Sequence, residues 1–160
     1  MLRGLLTSAL ALLPTASIAA DATRISIDYG VLAVFAPPGG PSGVAKHHLS
    51  IVLNPDKSIS ENYEGGGRHP QSSARSRTLG AQDESGSGYQ VINEHTIRRV
   101  QQNPTYTQTM TITVSGNSCA LDMQWQLKPG ATYFVSFSQT LGRPAQYERY
   151  SLAYQRCTIQ

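Results

Sequence analysis

The stretch from Tyr106 to Leu127 constrains the fold more than any other part of the chain. Met110, Ile112 and Val114 alternate with Thr109, Thr111 and Thr113. After Ser115-Gly116-Asn117-Ser118, the residues Cys119, Leu121, Met123, Trp125 and Leu127 alternate with Ala120, Asp122, Gln124 and Gln126. A period of two marks strands with one buried face. A two-residue turn at Gly116-Asn117, with the glycine supplying a positive φ, sets Val114 opposite Cys119, Ile112 opposite Leu121 and Met110 opposite Met123. Every apolar side chain then lands on the same side of a hairpin.

The other strand signals point the same way. Residues Ile25 to Val34, His48 to Leu53, Ser58 to Tyr63, Tyr89 to Asn93, Ile97 to Val100, Thr132 to Ser138 and Arg149 to Thr158 are rich in β-branched and aromatic side chains. Turn-forming runs separate them: Asn54-Pro55-Asp56-Lys57, Asn93-Glu94-His95 and Lys128-Pro129-Gly130-Ala131. Apolar residues nowhere keep a helical spacing long enough to indicate a helix. The expected fold is all-β: an antiparallel meander forming a small, lipocalin-like barrel, with a sandwich as the alternative. The barrel is preferred because closure removes exposed strand edges. Two segments are expected to stay outside the ladder. Ala36 to Gly43 is proline-rich and reads as a loop. Gly65 to Gly88 is rich in glycine and serine and reads as a flexible loop, within which Arg75 to Leu79 is the one candidate edge strand.

The beginning of the chain reads as a leader. Arg3 gives a positive start, Leu5 to Leu13 an apolar run, and Ser17-Ile18-Ala19-Ala20 a small-residue cleavage site, so 1–20 is expected to be a signal peptide and 21–160 one β domain. Pro14 interrupts the apolar run, which is shorter than the roughly 20 residues a spanning helix needs. Stable membrane insertion after cleavage is therefore not expected, and the setting is periplasmic or secreted. The formal charge of +3 drops by one when Arg3 leaves, too even a balance to indicate nucleic-acid binding. A domain of about 140 residues buries enough surface to need no cofactor to hold it together. In an oxidising compartment the two cysteines, Cys119 and Cys157, are expected to form a disulfide.

Catalytic motifs are not recognisable: H-E-x-x-H, G-x-S-x-G, the phosphate-binding loop and the dinucleotide fingerprint are all missing from the sequence. His47 and His48 are adjacent, so on a strand they point to opposite faces and cannot share one metal, and no metal site is expected. His69 falls in the long loop and His95 in a turn. Asp28, Asp83 or Glu148 could join a histidine only through long-range folding. Arg68, Arg75 and Arg77, with Arg98 and Arg99, are candidates for an anion-binding patch. Trp125 lies on the apolar face of the best strand. Tyr133 and Phe137, with Tyr150 and Tyr154, suit a barrel interior whose phenol tips reach the rim. Trp125, Tyr133, Tyr150, Tyr154, Arg75 and Arg77 are thus the candidate ligand-binding residues.

The run Thr109 to Leu121, continuing to Leu127-Lys128-Pro129-Gly130, resembles a segment of small exported alphaproteobacterial β proteins of unknown function. The resemblance covers the hairpin region 109–130; it implies an exported setting and an all-β fold, and supplies no active site. Two function classes are open to the chain as a whole. The first is a non-catalytic binding module for a small ligand or an envelope protein, an inhibitor among the options. The second is an envelope hydrolase whose site assembles from distant loops. Titratable groups converging in one place favour the enzyme, and an aromatic surface without them favours binding.

Overall fold

In the computed structural model, the described residues are 22–54, 58–65, 71–78, 88–93, 95–138 and 141–160. The expected leader, and residues 66–70 and 79–87 of the expected long loop, lie outside them. Among the described residues ten strands succeed one another: β1 (Thr23–Phe35), β2 (Pro41–Leu53), β3 (Ser58–Gly65), β4 (Gln71–Thr78), β5 (Gly88–Asn93), β6 (Thr96–Gln102), β7 (Tyr106–Ser115), β8 (Ser118–Leu127), β9 (Phe134–Ser138) and β10 (Arg143–Ile159). They form one antiparallel sheet in the order β4-β3-β2-β1-β10-β8-β7-β6-β5, with β9 on β10. Sequence neighbours are therefore sheet neighbours nearly throughout, and the last strand returns to pair with the first. The curled sheet makes a half-barrel.

The β7–β8 hairpin has the register expected from its alternation. Val114 faces Cys119, Ile112 faces Leu121 and Met110 faces Met123, and Gly116 has φ of 58°. Elsewhere the ladder reaches further than composition indicates. Gln71 to Thr78 is a strand at the sheet edge, where composition favours a loop with an edge strand over 75–79 as its alternative. Pro41 to Gly43, expected in a loop, open β2. Proline is tolerated there because the first residue of a strand need not donate to the ladder.

β10 is the longest strand, and two bulges decide which of its side chains point inward. Its register against β1 shifts between Gly30 and Val31, leaving Ala153 extra, and again between Val34 and Phe35, leaving Glu148 extra. An extra residue reverses the facing of the side chains beyond it. Tyr147, Tyr150, Leu152 and Cys157 consequently all pack inward, although their numbering has mixed parity. Tyr154, after the bulge at Ala153, turns outward.

β8 and β10 meet at one bridge, Thr158 to Ser118, and then diverge. The Cys119–Cys157 disulfide, with Cα atoms 5.3 Å apart, spans the start of the gap. The Leu121 N–H donates to Gln155 Oε1 just beyond it. Farther along, β10 exchanges β8 for β9 as its partner, from Tyr147 to Arg143.

Side chains fill the interior. Ile25, Ile27, Leu49, Ile51, Ile59, Ile112 and Leu121 are almost wholly buried, with Met110 and Met123 beside them. A second cluster, around Tyr106, Phe134 and Tyr147, sits below β9. Trp125 is half-buried and packs against both clusters. The curl brings β3 close enough to β6 for Arg99 Nη1 to donate to Glu61 Oε1 at 2.9 Å across the interior.

Candidate functional site

Among the described residues, the two most exposed large apolar side chains belong to the β9–β10 hairpin. Its inner face is anchored by aromatic rings. Tyr106 and Phe134 meet edge to face at 5.4 Å, and Phe134 and Tyr150 do so at 5.3 Å. Phe35 stacks on Tyr147 at 4.9 Å, and Trp125 on Tyr150 at 5.8 Å. Edge-to-face and offset pairs suit the ring quadrupoles and fix β9 in place. The Tyr150 hydroxyl lies 2.6 Å from Ser136 Oγ, and burial raises the Tyr150 phenol above its ordinary pKa.

The outer face of the same hairpin is also apolar. Tyr133, Val135 and Phe137 share it by alternation, and Phe137 stands opposite Pro144 in the ladder. Phe137 is 62% exposed and Leu141, in the turn, 48% exposed. Beside them, Thr105, Ala131, Thr132, Tyr133, Val135 and Gln146 line a shallow cleft of about 340 Å³. Thr105 Oγ1 accepts the Val135 N–H at 2.8 Å, tying the cleft wall to the strand.

The six candidate ligand-binding residues do not gather at one rim. Trp125 and Tyr150 stack within the second core cluster. Tyr133 lines the outer cleft, and Tyr154 lies outside over Gly30, beside Val44. Arg75 and Arg77 belong to β4, whose side chains fall outside the described part of the structure. Tyr133, Phe137 and Tyr154 thus face away from the interior in which they were expected, and Phe134 occupies the inward position on β9. The reason is parity, because β9 presents its even-numbered residues to the core. Phe137 carried an apolar signal in the sequence; its exposure carried none.

Arg98 and Arg99 point to opposite faces, so they do not share a patch; Arg99 reaches inward to Glu61 and lies over the Tyr89 ring at 5.7 Å. Arg68, His69, Asp83 and Glu94 lie outside the described residues. His95 is exposed in its turn, its backbone N–H donating to Asn93 Oδ1. Among the described residues no three His, Cys, Asp or Glu side chains gather as metal ligands.

His47 and His48 take opposite faces, as adjacency on a strand requires. His47 points inward between Tyr29 at 4.8 Å and Tyr63 at 5.8 Å, with Nδ1 2.6 Å from the Tyr63 hydroxyl. Burial lowers its pKa below the ordinary 6.5. Nδ1 of the neutral ring and the Tyr63 hydroxyl share this hydrogen bond, and burial raises the Tyr63 pKa. His48 points outward, with Nδ1 2.7 Å from Asp28 Oδ1 and Nε2 3.2 Å from Ser50 Oγ. The sequence offered Asp28 as a distant acid; the β1–β2 register, which sets Asp28 opposite His48, is what joins them.

Comparison with protein-family models, curated proteins and solved structures finds no match.

Proposed function

We propose that the chain is an exported binding module that engages another envelope protein through the outer face of the β9–β10 hairpin, without chemistry at that surface. The observation that carries this reading is that the outer face of β9 is apolar, with Val135 and Phe137 on it and Tyr133 just before it. A strand at the border of a sheet normally alternates between a buried apolar face and a wetted polar one. Here Phe134 is buried below, while Tyr133, Val135 and Phe137 remain above, and Phe137 is the most exposed large apolar side chain of those described. Contiguous apolar surface of this kind marks interaction sites.

The filled interior favours a partner bound outside over a small ligand held within. Isoleucine, leucine and methionine side chains occupy the space in which a ligand-carrying barrel keeps its cavity. Arg143 is exposed beside the hairpin turn, opposite Ser138, which suits a partner with an apolar centre and an acidic group at its rim. The Cys119–Cys157 bond is compatible with the oxidising compartment that an exported chain enters.

The test is capture from envelope extract with the oxidised protein, run beside a Phe137→Asp/Leu141→Asp variant of unchanged circular dichroism. Both positions are exposed, so the variant is expected to fold. A partner retained by the wild type and lost, by at least about tenfold, with the variant supports the reading. Equal retention by both proteins contradicts it.

A further inference from the structure

On the outer face of the sheet, remote from the hairpin tip, Asp28, His48 and Ser50 stand in the order and at the spacing of a nucleophilic relay. The geometry points to Ser50 as an acyl-transfer nucleophile, activated by His48 and oriented through Asp28, acting on carboxylic esters. This inference is independent of the binding surface proposed above.

Asp28 on β1 and His48 on β2 are direct cross-strand partners, and Ser50 comes two residues after His48, so all three share one face. The carboxylate oxygen at 2.7 Å accepts the proton on His48 Nδ1. That bond selects the tautomer whose Nε2 carries a lone pair, and Nε2 lies 3.2 Å from Ser50 Oγ, positioned to accept the hydroxyl proton. The two ring nitrogens thus have the separate tasks that serine nucleophiles require: one is held by an acid, the other faces the hydroxyl. The histidine and aspartate side chains are 37% and 57% exposed, so a solvent-borne ester reaches them without any opening of the fold.

Among the other side chains of this face, which include Glu64 opposite His48 and Arg156 opposite Asp28, two bear on the assignment. Asn62 on β3 is the cross-strand partner of Ser50 on the side away from β1. Asn62 is exposed, and its amide is a candidate donor to an oxyanion formed at Ser50, a role that side-chain amides fill elsewhere. Ser26 on β1 is the cross-strand partner of Ser50 on the other side. It is a serine in the same sheet environment, and its carbonyl accepts from the Thr158 hydroxyl. Ser26 is therefore a built-in control for the effect of the imidazole.

In the first half-reaction Ser50 Oγ forms a bond to the ester carbonyl carbon while its proton passes to His48 Nε2. The C–O bond to the leaving alcohol then breaks, and His48 returns the proton to that oxygen. In the second half-reaction water gives a proton to His48 Nε2 and adds to the acyl carbon; the acyl–Ser50 bond breaks, and Ser50 recovers its proton as the acid departs. The face is open, which suits an ester displayed on a large substrate over one enclosed in a pocket.

The test treats the full-length mature protein with a fluorophosphonate probe and maps the modified peptides by mass spectrometry. The phosphorus gains a bond to Oγ and loses fluoride, and the serine proton passes to His48. Ser50 is expected to be labelled about 100-fold faster than Ser26, the scale of general-base assistance. His48→Ala should abolish the difference, and Asp28→Asn should reduce it at least about tenfold through loss of the correct tautomer. Circular dichroism checks that each variant is folded, and because all three side chains are on the surface the fold does not depend on them. Equal labelling of Ser50 and Ser26 in the wild type, or preferential labelling of Ser50 that survives in folded His48→Ala, would overturn the assignment.

Discussion

His47 and His48 are neighbours in sequence and face opposite sides of β2, and the alternation of a strand accounts for the whole difference. The opposite facing was legible in the sequence. The partners were not, because Tyr29, Tyr63 and Asp28 reach the two rings only through the β1–β2 and β2–β3 registers. The inward ring makes a pH-dependent contribution to stability. Burial holds the folded His47 pKa below the ordinary 6.5, so between those values the unfolded chain binds more protons than the folded one. His47 therefore contributes its full stabilisation above pH 6.5 and loses it as the pH falls through the depressed folded value. Tyr29 and Tyr63, the groups packed against the ring, have phenol pKa values raised by burial and stay neutral throughout this range. Thermal unfolding followed from pH 7 to 5.5 should show a falling Tm in the wild type and a flatter profile in His47→Phe. The variant keeps the stacking while removing the titration, and equal slopes would refute the assignment.

At the scale of elements, β7 and β8 were the most legible because turn chemistry and apolar alternation agree on one register. β10 was the least legible. A bulge changes facing without leaving a composition signal, so Tyr150, Leu152 and Tyr154 read as one face in sequence and are split by the extra residue at Ala153. The same bulge brings Cys157 onto the inner face with Cys119. The disulfide closes a separation of 38 residues, and in the chain-entropy account such a loop stabilises the fold by about 4 kcal/mol. It also spans the point where β8 and β10 part after a single bridge. Cys157→Ser, or reduction of the wild type, should therefore lower the free energy of unfolding in urea by about 2–4 kcal/mol and raise the m-value, because the chain without the cross-link exposes more surface when it unfolds. A loss under about 0.5 kcal/mol, no more than a neutral surface substitution gives, would contradict this role. β9 was misread for a simpler reason. Its apolar residues occupy both parities, and composition does not say which set meets the core.

At the scale of the whole molecule, the all-β meander was legible from the succession of short strands and turns, and the strand order keeps to it. The closure of β10 on β1, and the reach of Arg99 across the interior to Glu61, were not legible, since both depend on how far the sheet curls. Curling has one consequence for function. It fills the interior with side chains and leaves the β9–β10 hairpin as an apolar projection. Site-specific photocrosslinking shows whether a partner covers that projection, and no partner need be known beforehand. A photoreactive phenylalanine analogue replaces Phe137 in one protein and, in two others, Ile92 or Tyr154, which are also exposed but lie elsewhere on the sheet. Each protein is expressed as the full chain and irradiated in the cell. One discrete covalent adduct is expected from position 137 and none from 92 or 154. No adduct at 137, or the same adduct at 92 or 154, would contradict the proposed binding surface.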